Sequence, residues 1–129
     1  MKRFFALLLL TLSLSPVAEA QQHPTERMKV IHMAAVRIAE RIGVQASSRE
    51  AFVTMYQAFK KESAVILADK PAPTGKAEED AEAKIYSDFA KSEKLLALRK
   101  NYYARFRTLL SPSQIQAMYD LEKEYAARK

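Results

Sequence analysis

The sequence predicts an all-α fold of four helices, arranged as two helical hairpins with a long third helix. Composition is the first reason, because the 129 residues include only two glycines and are rich in alanine, which favours helices over strands. The second is that helix breakers are few: Gly43, the segment Pro71–Gly75 and Pro112. Between them apolar residues recur at spacings of three and four, which is the helical period.

Residues 1–20 have the organisation of a signal peptide. The charged pair Lys2-Arg3 precedes an apolar stretch, and Ala18-Glu19-Ala20 supplies the small residues that a signal peptidase requires. We therefore expect cleavage before Gln21 and one periplasmic domain, 21–129, with no room for a second. The apolar stretch of about 11 residues is too short to cross a bilayer, which needs roughly 20, so we expect no stable membrane insertion.

Charge and residue types restrict the function. The chain carries 21 Lys and Arg against 15 Asp and Glu, a net charge of +6, which outside the cytoplasm favours acidic or unfolded protein partners over nucleic acid. The absence of cysteine excludes disulfides and thiolate metal sites. The two histidines, His23 and His32, have no second ligand at helical spacing, so we expect no metal and no cofactor. No nucleophile motif is present, which predicts a protein that is not an enzyme.

The first hairpin has clear boundaries. Its first helix is predicted from Thr25 to Ile42, with Gly43 in the left-handed position that ends a helix. The second helix is predicted to begin with a capping box, in which the Ser47 hydroxyl accepts from the Glu50 backbone and the Glu50 carboxylate reaches back. Its core-facing stripe is Phe52, Met55, Tyr56, Phe59, Ser63 and Ile66.

The third helix is unusually long. It is predicted to start between Thr74 and Lys76 and to continue to Ser111, about 34 residues or roughly 50 Å. A compact domain of this size spans only about 35 Å, so the helix must overhang it and expose apolar surface unless a second copy covers that surface, which predicts an open homodimer. Its main stripe is Ile85, Phe89, Ser92, Leu96, Arg99, Tyr103, Phe106 and Leu110, and a second row is Leu95, Leu98, Tyr102 and Leu109.

The fourth helix has the strongest local signal in the chain. Ser111 at the N-cap, Pro112 at the first helical position and Gln114 at the third are each favoured at those positions for separate physical reasons. A stripe of Ile115, Met118, Leu121, Glu122 and Tyr125 follows on one face.

The stretch Leu110-Ser111-Pro112-Ser113-Gln114 resembles the LTxxQ motif of the periplasmic Spy/CpxP-like family, with serine in place of threonine. In that family the motif occurs once in each half of a four-helix chain behind a signal peptide. The first copy here, Val44-Gln45-Ala46-Ser47-Ser48, keeps the apolar residue and a capping serine but has neither the threonine nor the glutamine. The resemblance covers the whole chain after the signal and implies an open, Spy-like cradle.

The resemblance also implies an envelope-stress role. Spy-like proteins are ATP-independent chaperones whose dimers bind unfolded envelope proteins, CpxP-like proteins dampen a sensor kinase, and other members bind zinc. We expect a periplasmic chaperone for unfolded or misfolded proteins. The alternatives are a regulatory subunit that docks on a membrane stress-signalling partner, and a metal-stress sensor.

A basic and aromatic run on the third helix is the candidate client or partner surface. It comprises Arg99, Lys100, Tyr102, Arg105 and Arg107. Cations attract acidic segments, and aromatic rings accept apolar side chains without demanding one sequence. Under the alternative interpretation the aromatic residues are core or dimer contacts and the cations a solvated face. That interpretation is favoured for Tyr103 and Phe106, which lie on the main stripe.

Overall fold

The fold was analysed in a computed structural model that describes residues 26–128. Within this range the chain is all-helical, as the sequence predicts, and contains no strand. The predicted signal peptide, its cleavage site before Gln21, and His23 lie outside the described residues. None of the helices in this range has the length and hydropathy needed to cross a bilayer. The helices are α1 (26–42), α2 (Arg49–Ala68), α3 (Ala77–Phe106) and α4 (Pro112–Ala127).

Helix α1 ends as its glycine predicts. Gly43 has a φ of +74°, the left-handed conformation that only glycine adopts without strain. The Gly43 N–H donates to the Glu40 carbonyl at 3.3 Å, and the Val44 N–H donates to the Ala39 carbonyl at 2.9 Å. These two bonds form a Schellman motif, and the buried Val44 and Ala39 side chains supply its usual apolar contact.

The predicted capping box at Ser47 and Glu50 is wrong. Helix α2 begins at Arg49 after a short 3-10 turn, Ala46–Ser48, and its N-cap Ser48 makes no side-chain capping bond. The tight turn already gives Ser48 a near-helical backbone, with φ of −107° and ψ of −4°. Ser47 therefore lies inside the turn and not in the extended conformation that a capping serine needs.

The capping box at the start of α4 is present as predicted. The Gln114 N–H donates to Ser111 Oγ at 3.2 Å, and the Ser111 N–H donates to Gln114 Oε1 at 2.9 Å, with Pro112 at the first helical position. Gln114 has a second function that local sequence does not reveal. Its Nε2 donates to the Ile42 and Gly43 carbonyls, both at 3.1 Å, and so binds the start of α4 to the end of α1.

All four helices contribute to one core. Aromatic rings dominate it: Phe52 contacts Phe106 with centroids 5.8 Å apart, and Phe59 contacts Tyr102 at 5.2 Å. Helix α3 contributes only Tyr102 and Phe106, although it is the longest helix among the described residues. The buried residues are Ala35, Ile38, Ala39, Val44, Phe52, Val53, Tyr56, Phe59, Tyr102, Phe106, Leu110, Ile115, Met118 and Leu121.

Helix α3 ends four residues earlier than predicted. It stops at Phe106, because the Leu109 and Leu110 N–H groups both donate to the Phe106 carbonyl, at 2.9 and 2.8 Å, and tighten the chain into a turn. Arg107 Nη1 donates to the Leu110 carbonyl at 2.9 Å and holds the turn. The helix therefore has 30 residues, or about 45 Å.

Helices α2 and α3 run antiparallel and differ in reach. The Phe59 ring contacts the Tyr102 ring near the core, and Lys91 Nζ donates to the Leu67 carbonyl at 3.2 Å near the end of α2. Since α2 ends one residue after Leu67, roughly the first 20 Å of α3 extends beyond it. The overhang expected from helix length is therefore present within the described part of the chain.

Two buried tyrosines each donate a hydrogen bond to a carboxylate on a neighbouring helix. The Tyr56 hydroxyl donates to Glu122 Oε2 at 3.0 Å, and the Tyr102 hydroxyl donates to Glu62 Oε2. Burial is the largest cause that raises the pKa of both phenols above its ordinary value, and the neighbouring carboxylates raise it further. Both phenols consequently remain protonated donors in the folded protein.

We expect the free energy of unfolding to fall as pH rises above about 10, because unfolded tyrosines lose their protons there while Tyr56 and Tyr102 keep theirs. Tyr56→Phe should therefore lose less stability than the wild type between about pH 9 and 11. The measurement is urea unfolding followed by circular dichroism. Tyr86→Phe, at an exposed position, is the control and should keep the wild-type slope. Parallel slopes for Tyr56→Phe and wild type would contradict the assignment.

Ser111→Ala should lower the free energy of unfolding by about 1 kcal/mol, because it leaves the Gln114 N–H without its capping acceptor. The measurement is thermal or urea unfolding at neutral pH. Ser113→Ala, in the exposed first turn of the same helix, should be close to neutral. Equal stability of the two variants would show that the cap contributes nothing.

Candidate binding surfaces

Tyr102, the aromatic residue at the centre of the predicted client surface on α3, is buried. Tyr102 is only 2% exposed and is packed between Phe59 and Phe106, so the prediction that it faces a client is wrong. The reason is that the second apolar row faces α2 along most of α3, whereas the main stripe is exposed from Ile85 to Tyr103 and enters the core only at Phe106. Tyr103 is 41% exposed, which contradicts a core position, whereas Phe106 is fully buried as expected.

Two cations of that predicted surface, Arg99 and Arg105, contact aromatic rings within the fold. The Arg99 guanidinium lies 4.6 Å from the centroid of the Tyr119 ring, and the Arg105 guanidinium lies 4.7 Å from that of Tyr102. Cation–π contacts of this kind cover the rings and orient the charges along the surface. All four cations are exposed to solvent: Arg99, Lys100, Arg105 and Arg107.

A different apolar surface lies along the side of α3. We define the α3 row as Ile85, Phe89, Leu96 and Tyr103, which are between 41% and 59% exposed. Their spacings of four and seven residues repeat along one stripe, as in a coiled coil. Tyr86 lies beside the row and is 63% exposed. The helix thus has one apolar side in contact with α2 and another in contact with solvent.

The charges that flank the α3 row are divided by sign. Helical periodicity places Glu78 and Glu82 on the line of the row just before Ile85, Glu93 beside its middle, and Lys100 and Arg107 beside its C-terminal end. All five side chains are exposed. The row is therefore acidic at the N-terminal end of the helix and basic at the C-terminal end.

A groove opens between α1 and α4, with α2 at its floor. We call it the α1–α4 groove, and its volume is about 460 Å³. Val30 is 68% exposed and Met33 is 55% exposed, so two flexible or branched apolar side chains project at its mouth. Its apolar lining is Val30, Ile31, Met33, Ala34, Tyr125 and Ala126.

The inner end of the α1–α4 groove is polar and cationic. Lys60 Nζ and the Tyr56 hydroxyl both donate to the same Glu122 oxygen, Oε2, at 3.0 Å. Arg37 lines the same groove and makes no ion pair with any described residue. The charge of Lys60 is neutralised by Glu122, whereas Arg37 has no counter-charge among the residues that line the groove. The lining of the groove therefore has a net positive charge.

A second, smaller depression contains the histidine of the described region. His32 Nδ1 lies 3.5 Å from Gln57 Nε2, and Arg49 and Glu50 line the same depression. Among residues 26–128, no group of three His, Cys, Asp or Glu side chains is arranged to hold a metal ion.

The α1–α4 groove is the feature that sequence reasoning missed. On α1 the side chains of Ala35, Ile38 and Ala39 enter the core, while Val30 and Met33 are exposed and form a second apolar set on the same helix. That second set was the available signal, since a helix that is apolar on two sides has one side without a partner in its own core.

The comparisons with known proteins find no match for the chain. No family model, curated protein or solved structure matches it. The resemblance of Leu110–Gln114 to the LTxxQ motif therefore stays a prediction. In the structure this segment caps the start of α4, and its Gln114 side chain binds the end of α1.

Proposed function

We propose that the chain is a periplasmic, non-enzymatic protein that binds unfolded or misfolded proteins as an ATP-independent chaperone. The observation that carries the proposal is the α1–α4 groove, an exposed apolar surface with an unbalanced positive charge. Export is the expectation from residues 1–20. Unfolded chains present apolar side chains without a fixed sequence, and an open groove accepts such side chains more readily than a closed cavity would.

Magnitudes favour weak and promiscuous binding in the α1–α4 groove. Each large apolar side chain buried there contributes about 1.5–3 kcal/mol, and ordering an extended client segment costs much of the gain. Met33 is unbranched and polarisable, so it adapts to clients of different shape. Two or three client side chains contribute about 3–9 kcal/mol before that cost is subtracted, so the affinity is at most in the range of roughly millimolar to micromolar, which suits brief holding of clients.

The positive charge of the groove would raise the rate of client association and favour acidic clients. Arg37 and Lys60 both line the groove, and the net charge of +6 becomes +5 once residues 1–20 are cleaved as expected. Positive potential raises the association rate for acidic chains, and the effect weakens as salt screens it. Clients with acidic residues close to apolar residues are therefore the favoured class.

The purified domain should suppress the aggregation of a heat-unfolded model client such as malate dehydrogenase, measured by light scattering. Met33→Asp should require about tenfold more protein for the same suppression, because it places a charge in the apolar groove. The matched control is Leu67→Asp, since Leu67 is 56% exposed against 55% for Met33 but lies on α2 away from the groove.

Two outcomes would overturn this function. Aggregation that is unchanged by stoichiometric wild-type protein would remove the chaperone proposal. Tight, saturable binding of one membrane partner without effect on aggregation would favour the regulatory alternative instead. Equal loss in Met33→Asp and Leu67→Asp would separate the activity from the α1–α4 groove.

We also propose that the protein acts as a homodimer in which the α3 row meets its copy. Ile85, Phe89, Leu96 and Tyr103 expose a stripe about 27 Å long between the first and last residue. An antiparallel pairing brings the acidic end of one α3 against the basic end of the other, whereas a parallel pairing brings like charges together. Charge therefore selects the antiparallel arrangement.

The register of that pairing follows from the positions of the residues. A two-fold axis between Ser92 and Glu93 brings Phe89 against Leu96 of the second copy. The small Ser92 side chain at the axis allows the two helices to approach closely. Glu82 then lies within one helical turn of Lys100 of the second copy, a separation over which opposite charges attract.

Light scattering on the purified domain should give the mass of a dimer, and Leu96→Asp should convert it to a helical monomer. Val65→Asp, at a 69% exposed position on α2, is the control and should stay dimeric. Lys100→Glu should weaken the dimer, and adding Glu82→Lys should restore it by exchanging the two charges. A monomeric wild type at micromolar concentration, or no rescue by the double exchange, would overturn the antiparallel pairing.

A further inference from the structure

The α1–α4 groove has an apolar end and a charged end, a difference that the binding of unfolded chains does not require. Its outer end, near Val30 and Ala126, is lined mainly by apolar groups, Arg37 and Glu122 lie further in along α1 and α4, and Lys60 reaches Glu122 from α2. From Val30 to Arg37 the helix rises about 10 Å, which is the distance from the apolar mouth to the cationic end. The volume of about 460 Å³ lies within the range typical of small-molecule sites.

The donors and charges at the inner end favour an anion. The Glu122 carboxylate receives bonds from both Lys60 Nζ and the Tyr56 hydroxyl, each at 3.0 Å, so its negative charge is compensated inside the fold. Arg37 makes no ion pair with a described residue. A guanidinium offers two parallel N–H donors that match the two oxygens of a carboxylate, which makes a carboxylate its best single partner.

We propose that the α1–α4 groove binds single-chain amphipathic carboxylates of the fatty-acid type. The acyl chain lies between Val30 and Met33 of α1 and Tyr125 and Ala126 of α4, and the carboxylate pairs with Arg37. A neutral alcohol of the same length would leave Arg37 without a counter-charge. A cationic amphiphile would bring its charge toward Arg37 and be repelled.

This proposal goes beyond client binding and does not depend on it, because a carboxylate can occupy the groove of a protein that holds no client. It also predicts competition if both are correct. A bound acyl chain would fill the apolar surface that an unfolded segment needs, so the fatty acid would act as a displacing ligand.

The test is titration of the domain with decanoate below its micelle concentration, followed by amide chemical shifts in two-dimensional NMR. Decanoate should shift the amides of residues 30–37 and 122–126. Decyltrimethylammonium and decanol should bind at least fivefold more weakly. Affinity should rise about tenfold from octanoate to decanoate, since two further methylenes are buried.

The Arg37 variants locate the head group. Arg37→Gln should weaken decanoate binding at least fivefold and leave decanol binding unchanged, while Arg37→Lys should recover part of the loss. Arg41→Gln is the matched control, because Arg41 lies one turn further on α1 and lines a different depression with Asp120 and Glu124. Retained folding of each variant is checked by its circular dichroism.

Equal affinity for decanoate and decyltrimethylammonium, or an unchanged decanoate affinity in Arg37→Gln, would overturn the proposal. Shifts confined to residues outside the groove would do the same. The aggregation assay reports separately on the chaperone function. Decanoate binding without aggregation suppression would support this site and remove that function, and the reverse result would do the opposite.

Discussion

The structure depends on the packing of Phe106 and Tyr102 against Phe52 and Phe59. These four rings form the contact through which α3 joins the rest of the fold, with centroids between 5.2 and 6.1 Å apart. Both residues of α3 lie in its last five positions. The fully buried contacts of α3 are therefore confined to one end of a helix about 45 Å long.

That constraint explains why so much apolar surface stays in contact with solvent. A small core has too few side chains to cover four helices, and the parts of α1, α3 and α4 farthest from it have none of the fully buried residues. In α1 the buried residues start at Ala35, and in α4 they end at Leu121. The α3 row and the α1–α4 groove are thus two consequences of one short core. They differ in charge, which is why we propose different occupants for them.

Features that depend on residues close in sequence could be predicted, whereas features that depend on how the helices pack together could not. Gly43 and the cap at Ser111 involve neighbours in sequence, so their geometry could be predicted. The box at Ser47 failed because a 3-10 turn precedes α2. Tyr102 is buried and Tyr103 exposed, opposite to the prediction, because two apolar rows fit α3 equally well and only the packing against α2 decides which residue of each row is buried. The groove is formed by α1, α2 and α4 together, so no pattern within a single helix predicts it.

The two bonds from Gln114 Nε2 to the Ile42 and Gly43 carbonyls have a mechanical consequence. They fasten α1 to α4 at the end nearest the core, while the opposite ends of the two helices, near Val30 and Ala126, carry no comparable tie in the described chain. These bonds fix the separation of α1 and α4 at that end only. A change in the distance between Val30 and Ala126 would therefore leave both Gln114 bonds intact, and one glutamine determines which end of the pair stays closed.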